Sequence, residues 1–263
     1  MEKLILTLFL ALGVGAFGQS GRPAFPAFDV ATIKPADTSK VGRYITLQGN
    51  SRFIAKDYTL KLLIAAAYDL NSRTIAGGPS WVESEAYDIT AVTPGDTRPT
   101  HAEQMAMLRA LLSDRFGLIF HREQKDFSIY SLEVAKSGAK LKPTTAPADT
   151  PPTVGPAVLY EGSARVVLPA KNATLDDFTQ LMQRAILDRP VVNRTGLTAR
   201  YDFSLEWAAD ETQFGGGLPA GPTSDPTPPL FTGIQQRLGL VFKPTRGPVS
   251  ALVIDAAMKP TAN

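Results

Sequence analysis

Few side chains in this sequence can do chemistry, and their types narrow the options quickly. There are two histidines and no cysteine. Without cysteine, neither disulfides nor thiolate zinc sites can form. His101 falls in the first turn of an expected helix, and His121 falls in a strand beside Arg122 and Glu123. Neither has a second histidine at helical or hairpin spacing, so a metal would need carboxylates to complete its shell. A Ser-His-Asp site would need one of these two as base, and no Gly-x-Ser-x-Gly elbow occurs. Asp88, Asp202 and Asp255 recur in expected strands. Two carboxylates about 5–9 Å apart would serve acid–base work on a glycoside. Their recurrence at related places favours a structural part instead, at a turn or a sheet edge. Asp114-Arg115 and Asp188-Arg189 are expected to cap two helix ends and pair locally. No catalytic residue, metal or cofactor is expected.

For binding, the stretch to choose is Gly77-Gly78-Pro79-Ser80-Trp81. It reads as a tight turn. Gly77 and Gly78 allow close backbone approach, and Trp81 after Pro79 can anchor a partner. The competing reading packs Trp81 over the first helix. Trp207 leans further towards the core. Gly13-Val14-Gly15-Ala16-Phe17-Gly18 matches a dinucleotide-binding pattern. That pattern needs a strand before it and a helix after it, and here it lies in a targeting segment.

These residues need elements to position them. Phe28 to Ile33 reads as a strand, and Tyr44 to Leu47 with Arg52 to Ala55 as a hairpin. Tyr58 to Leu70 is helical: Leu60, Leu63, Ile64, Ala67 and Tyr68 share one face, with Asp57 as the expected N-cap. Ala86 to Val92 is a strand. Thr100 and Glu103 form a capping box for a helix that Gly117 ends. Met107 to Ala135 then reads as that helix, a short apolar strand, a charged turn and a second strand. Thr174 to Leu187 is a helix with Thr174 and Asp177 as its capping box. Tyr201 to Trp207 is a strand.

The pattern repeats. Arg115-Phe116-Gly117-Leu118-Ile119-Phe120 aligns with Arg237-Leu238-Gly239-Leu240-Val241-Phe242, and Phe127 with Val249 at the same spacing. Ala55 to Leu60 aligns with Ala170 to Leu175, and Tyr87-Asp88-Ile89-Thr90 with Tyr201-Asp202-Phe203-Ser204. The chain reads as a tandem duplication of helix–strand–strand units. The expected fold is α+β, with mainly antiparallel sheets and helices packed on one face. Expected boundaries are a signal peptide at 1–18, a first half at 19–141, a Pro-rich linker at 142–157 and a second half at 158–263.

Composition agrees with a globular, exported protein. The chain has 263 residues, 44% of them hydrophobic, with a formal net charge of +2. That charge gives no nucleic-acid footprint. Lys3, the apolar run Leu4 to Val14 and the small residues at Ala16 and Gly18 predict export with cleavage before Gln19. The run falls short of the roughly 20 residues that span a bilayer. No integral membrane segment is expected after cleavage; the alternative is an uncleaved anchor.

Several motifs resemble the DUF3738 family of exported soil-bacterial proteins. They are Phe28-Asp29-Val30-Ala31-Thr32-Ile33-Lys34-Pro35, Gly77-Gly78-Pro79-Ser80-Trp81, Met107 to Phe116, His121-Arg122-Glu123, Thr195-Gly196-Leu197, Tyr201-Asp202-Phe203 and Val253-Ile254-Asp255. Asn193 and Ala199 depart from it, standing where Asp and Gly are expected. The family has no established activity, so the resemblance implies no catalytic residues. A weaker resemblance is to the short N-terminal domain of secretins and TonB-dependent transducers, carried by Phe53, Leu60, Leu111-Leu112 and Gly117-Leu118. It implies a periplasmic docking or signalling module. The leading expectation is an exported, non-catalytic binding or signalling module that meets an envelope protein or extracellular polymer. The alternatives are a hydrolase using strand carboxylates, and a purely structural envelope component.

Overall fold

The computed structural model describes residues 24–37, 42–147, 149–155, 157–159, 164–216 and 227–261. The expected signal segment and its cleavage point lie outside the described residues.

In chain order the first half gives β1 (Val30–Pro35), β2 (Tyr44–Gln48), β3 (Arg52–Thr59), α1 (Leu60–Ala67), β4 (Ile75–Gly77), α2 (Trp81–Ser84), β5 (Ala86–Val92), α3 (His101–Phe116) and β6 (Ile119–Val134). There follow β7 (Lys142–Pro143), β8 (Thr153–Val154), β9 (Val158–Leu159), β10 (Arg165–Ala173), α4 (Leu175–Leu181), β11 (Val191–Asn193), β12 (Tyr201–Ala208), α5 (Leu230–Leu238) and β13 (Leu240–Ala256). The class is α+β with mainly antiparallel sheets.

Local sequence explains most helix ends. Thr100 and Glu103 cap α3 reciprocally: Thr100 Oγ1 accepts from the Glu103 amide at 3.3 Å, and Glu103 Oε2 accepts from the Thr100 amide at 2.6 Å. Thr174 and Asp177 do the same for α4. Gly117 and Gly239 leave α3 and α5 in the left-handed region, at φ 55° and 64°, where a Cβ is strained. The cap of α1 differs from expectation. Thr59, not Asp57, accepts from the Leu62 amide. Asp57 is itself left-handed at φ 56°, inside a bulge of β3. The expected helix Thr174 to Leu187 is also shorter, because α4 passes into one π turn at Met182–Ile186.

Each half buries its own core. In the first, the sheet β1-β5-β3-β2 packs against α1 and α3 through Phe53, Ile89, Leu60, Leu63, Leu108 and Phe116. In the second, β10 and β12 pack against α4 and α5 through Leu168, Leu205, Trp207, Phe178 and Ile234. Residues 142–157, expected as a linker, contribute β7 and β8, which pair with β12 and β10.

The third sheet, β11-β6-β13-β4, joins the halves. Here a sequence expectation fails. The charged stretch expected as a turn makes none, and β6 runs unbroken for 16 residues against the 17 of β13. The charged residues sit on the exposed middle of this two-stranded ribbon, between the cores. Leu252 and Ile254 at the far end of β13 enter the first core, and Leu132 at the far end of β6 enters the second. The edge strands also cross over: β4 of the first half pairs in parallel with β13, and β11 of the second half with β6.

The outer edge of the ribbon is blunted. The Tyr130 amide points away from β13, because it donates to the Pro190 carbonyl at 2.9 Å. Antiparallel pairing alternates direction, so even-numbered positions on both strands face outward. Pro244 and Pro248 fall on such positions and remove donors from an edge that would otherwise invite strand addition.

The same local geometry appears in both halves. Asp57 and Asn172 are both left-handed, at φ 56° and 48°, in matching bulges of β3 and β10. Asp88 Oδ1 accepts from the Asp57 amide at 3.1 Å, and Asp202 Oδ1 accepts from the Asn172 amide at 2.8 Å.

Candidate functional site

Gly77 closes β4, and Gly78 follows it against β13. Both hold left-handed backbone, at φ 80° and 77°. A Cβ on Gly77 would stand 2.7 Å from the Ile254 carbonyl oxygen, and one on Gly78 would stand 3.0 Å from the Ile254 side chain. These glycines therefore admit β13 at close range. Trp81 is not in a turn but is the first residue of α2. It is half-buried on the first core and meets Tyr87 edge-to-face at 6.4 Å. Lys61 on α1 pairs with Glu83 of α2 at 2.7 Å, fastening this helix in place. Gly77, Gly78, Pro79 and Ser80 are exposed around it.

The three strand carboxylates lie apart, each with a local duty. Asp88 holds the β3 bulge and pairs with Lys56 at 2.6 Å. Asp202 holds the β10 bulge, and the Asn172 amide keeps its carboxyl below the usual range. Asp255 meets His121 Nδ1 at 2.8 Å on the exposed ribbon. Asp188 accepts from the Tyr130 hydroxyl at 3.2 Å and pairs with Arg189 at 3.4 Å. Arg115 donates to the Ala31 carbonyl at 3.3 Å.

A different region gathers polar groups from both halves. The loop after α1 meets the π turn after α4. Asn71, only 6% exposed, donates through Nδ2 to the Gln183 carbonyl at 2.8 Å and to the Leu187 carbonyl at 3.3 Å. Gln183 Nε2 returns a bond to the Asp69 carbonyl at 3.3 Å. A π turn displaces backbone carbonyls from the regular helix ladder, which leaves that of Gln183 free to accept. Arg184 Nη1 pairs with Asp69 Oδ1 at 3.0 Å and reaches His101 Nε2 at 2.8 Å. An arginine can only donate, so Nε2 accepts and His101 is neutral with its proton on Nδ1. Burial and then the Arg184 charge hold the His101 pKa below its ordinary value.

Beside this contact opens a cleft of about 1380 Å³. The first half supplies Arg43, Tyr58, Ala66 and His101, and the second supplies Arg184 and Phe214. Tyr58 stands half-buried in the wall. Burial raises its pKa, and the charges of Arg43 and Arg184 lower it in part, so the phenol stays protonated. The cleft offers donors and a volume above the roughly 300–1,000 Å³ of common small-molecule pockets. Sequence reading missed it. Its residues come from six separated stretches, none with a motif. The only local signal was Tyr58, whose counterpart in the second half is Ala173.

Among comparisons with known proteins, a family model described as "Protein of unknown function (DUF3738)" matches residues 61–257. Neither the search of curated proteins nor that of solved structures gave a match.

Proposed function

We propose, from the premise that this chain belongs to the DUF3738 family, that it is an exported, non-catalytic binding module of the cell envelope whose ligand enters the cleft between the halves. One observation carries this reading. The cleft is walled by both halves and set by the Asn71 contacts, whereas Asp88, Asp202 and Asp255 are engaged at three separate places. Buried polar contacts that fix a wall favour recognition, because a preorganised site loses less entropy on binding. The order of Phe53, Leu60, Leu111-Leu112 and Gly117-Leu118 supports a docking role, through its likeness to secretin and transducer domains. The residues Lys3, Leu4 to Val14 and Ala16 to Gly18 support export.

The binding test incubates the intact protein with size-fractionated envelope extract and identifies retained small molecules by mass spectrometry. Ala66 lines the cleft, so Ala66→Trp would push an indole into it. Retention by the wild type and loss in a folded Ala66→Trp protein is the expected result. Equal retention by both would move the site elsewhere. Hydrolysis of an extracellular polymer that stops in Asp88→Asn, Asp202→Asn or Asp255→Asn would favour the runner-up, a carboxylate hydrolase. Export is checked by N-terminal sequencing, which should begin at Gln19 or close to it.

A further inference from the structure

We infer that the cleft takes an organic ligand through an oxyanion, a phosphate or carboxylate, seated between Arg43, Arg184 and the Tyr58 hydroxyl. This rests on the binding reading above and names the chemistry of the ligand.

Three side chains in the cleft wall keep donor groups with no partner among the described residues. Arg43 makes no ion pair or hydrogen bond among the described residues, although it lines the cleft. Arg184 is held at Nη1 by Asp69 and His101. Its Nη2 and Nε meet no partner among the described residues. The Tyr58 hydroxyl likewise has no hydrogen-bond partner among them, although the residue is half-buried. Open to the cleft, such donors are completed by water until a ligand displaces it.

Charge points the same way. The groups whose charge acts on the Tyr58 hydroxyl are Arg43 and Arg184, both positive. The carboxylates on the cleft wall are Asp57, Asp188 and Glu211. Asp188 is already paired with Arg73 at 3.9 Å and with Arg189. A fork of guanidinium donors suits the planar or tetrahedral oxygens of a carboxylate or phosphate. The bracing of Arg184 matters here, because Asp69 and His101 fix its plane before the ligand arrives. The size of the cleft asks for more than an inorganic ion, so the oxyanion is one end of a larger molecule.

The test is calorimetric titration of the intact protein with glucose 6-phosphate, glucuronate and glucose. Either charged sugar, or both, should bind at least about tenfold more tightly than glucose, since one charge-assisted hydrogen-bond pair supplies that factor. The two charged arms tell phosphate from carboxylate. Arg43→Gln and Tyr58→Phe should each remove most of the preference for the charged sugars over glucose. Arg43 is exposed, so that variant tests the site without threatening the fold. Added salt should weaken only the charged sugars. The inference is overturned if the charged sugars bind no better than glucose or do not bind, or if neither variant alters the preference. Should Ala66→Trp still abolish retention of an envelope ligand in that event, the cleft reading stands and the oxyanion fails. Should the charged sugars bind equally well to Ala66→Trp, the cleft itself is the wrong site.

Discussion

His101 and Trp81 were each legible by type, and each gains a contact that its local setting does not show. His101 reads as a solvated residue at a helix start and is exposed there, and it also accepts a hydrogen bond from Arg184 across the two halves. Its pKa lies below the ordinary value because burial and the Arg184 charge penalise the imidazolium. A pKa lowered on folding means that the stabilisation is present above the unfolded value of about 6.5 and is lost as pH falls through the lower folded value. Thermal midpoints measured from about pH 7.5 to about pH 5 should therefore fall more steeply for the wild type than for His101→Gln, whose side chain also accepts but does not titrate. Parallel curves would remove His101 from the contact. Trp81 remains the alternative docking residue. Trp81→Ala should lower the midpoint through loss of its packing on Tyr87, by less than the roughly 3–5 kcal/mol of a fully buried aromatic. Loss of partner capture with the midpoint nearly unchanged would instead favour docking there. Trp207, fully buried with its indole donating to Gln213 at 2.7 Å, is the contrasting case. Trp207→Ala should cost roughly 3–5 kcal/mol in denaturant titration.

At the scale of elements, the expected charged turn between two strands was a reading of charge as irregularity. Charged residues are equally at home on a strand that has water on both faces, and only the pairing with β13 shows that this strand does. The π turn at Met182–Ile186 was illegible for another reason. Its residues are ordinary helix formers, and its widened turn coincides with the Asn71 contact. Asn71→Ala would leave the carbonyls of Gln183 and Leu187 without their side-chain donor. A buried acceptor without its partner costs roughly 1–3 kcal/mol. Hydrogen exchange should then quicken in the loop after α1 and in the π turn, with β5 and β12 unchanged. Uniform quickening would mean that the contact supports the whole fold and is not a local latch.

For the whole molecule, the alignment that sets Phe127 beside Val249 sets Asp126 beside Pro248, and those two are register partners on β6 and β13. Two antiparallel strands that pair a position with its own counterpart are related by a two-fold axis through that point. We propose that the halves arose by tandem duplication of a chain that once paired with its own copy. Residues 24–147 expressed alone should then form a homodimer in sedimentation analysis. Two β6 strands would pair around Asp126, and Tyr130 and Leu132 would take the places of Leu252 and Ile254 beside β4. A folded monomer would count against this origin, as would a chain that never folds.

The sequence by itself determined what depends on neighbours along the chain. The capping boxes at Thr100 and Thr174, the left-handed exits at Gly117 and Gly239, the apolar faces of α1 and α3 and the α+β class follow from spacing and local hydrogen bonding. The recurrence of Asp88 and Asp202 pointed to a structural part at a turn or sheet edge; they stand instead on β5 and β12, each paired on both sides, where each holds a bulge. Tertiary structure alone decided what depends on distant partners. The exchange of β4 and β11 between halves and the continuity of β6 past its charged middle have no local cause. The cleft likewise joins Arg43 and Tyr58 to Arg184, which stands far along the chain. Such contacts are set by which surfaces two folded halves can bury together, and no window of sequence contains both surfaces.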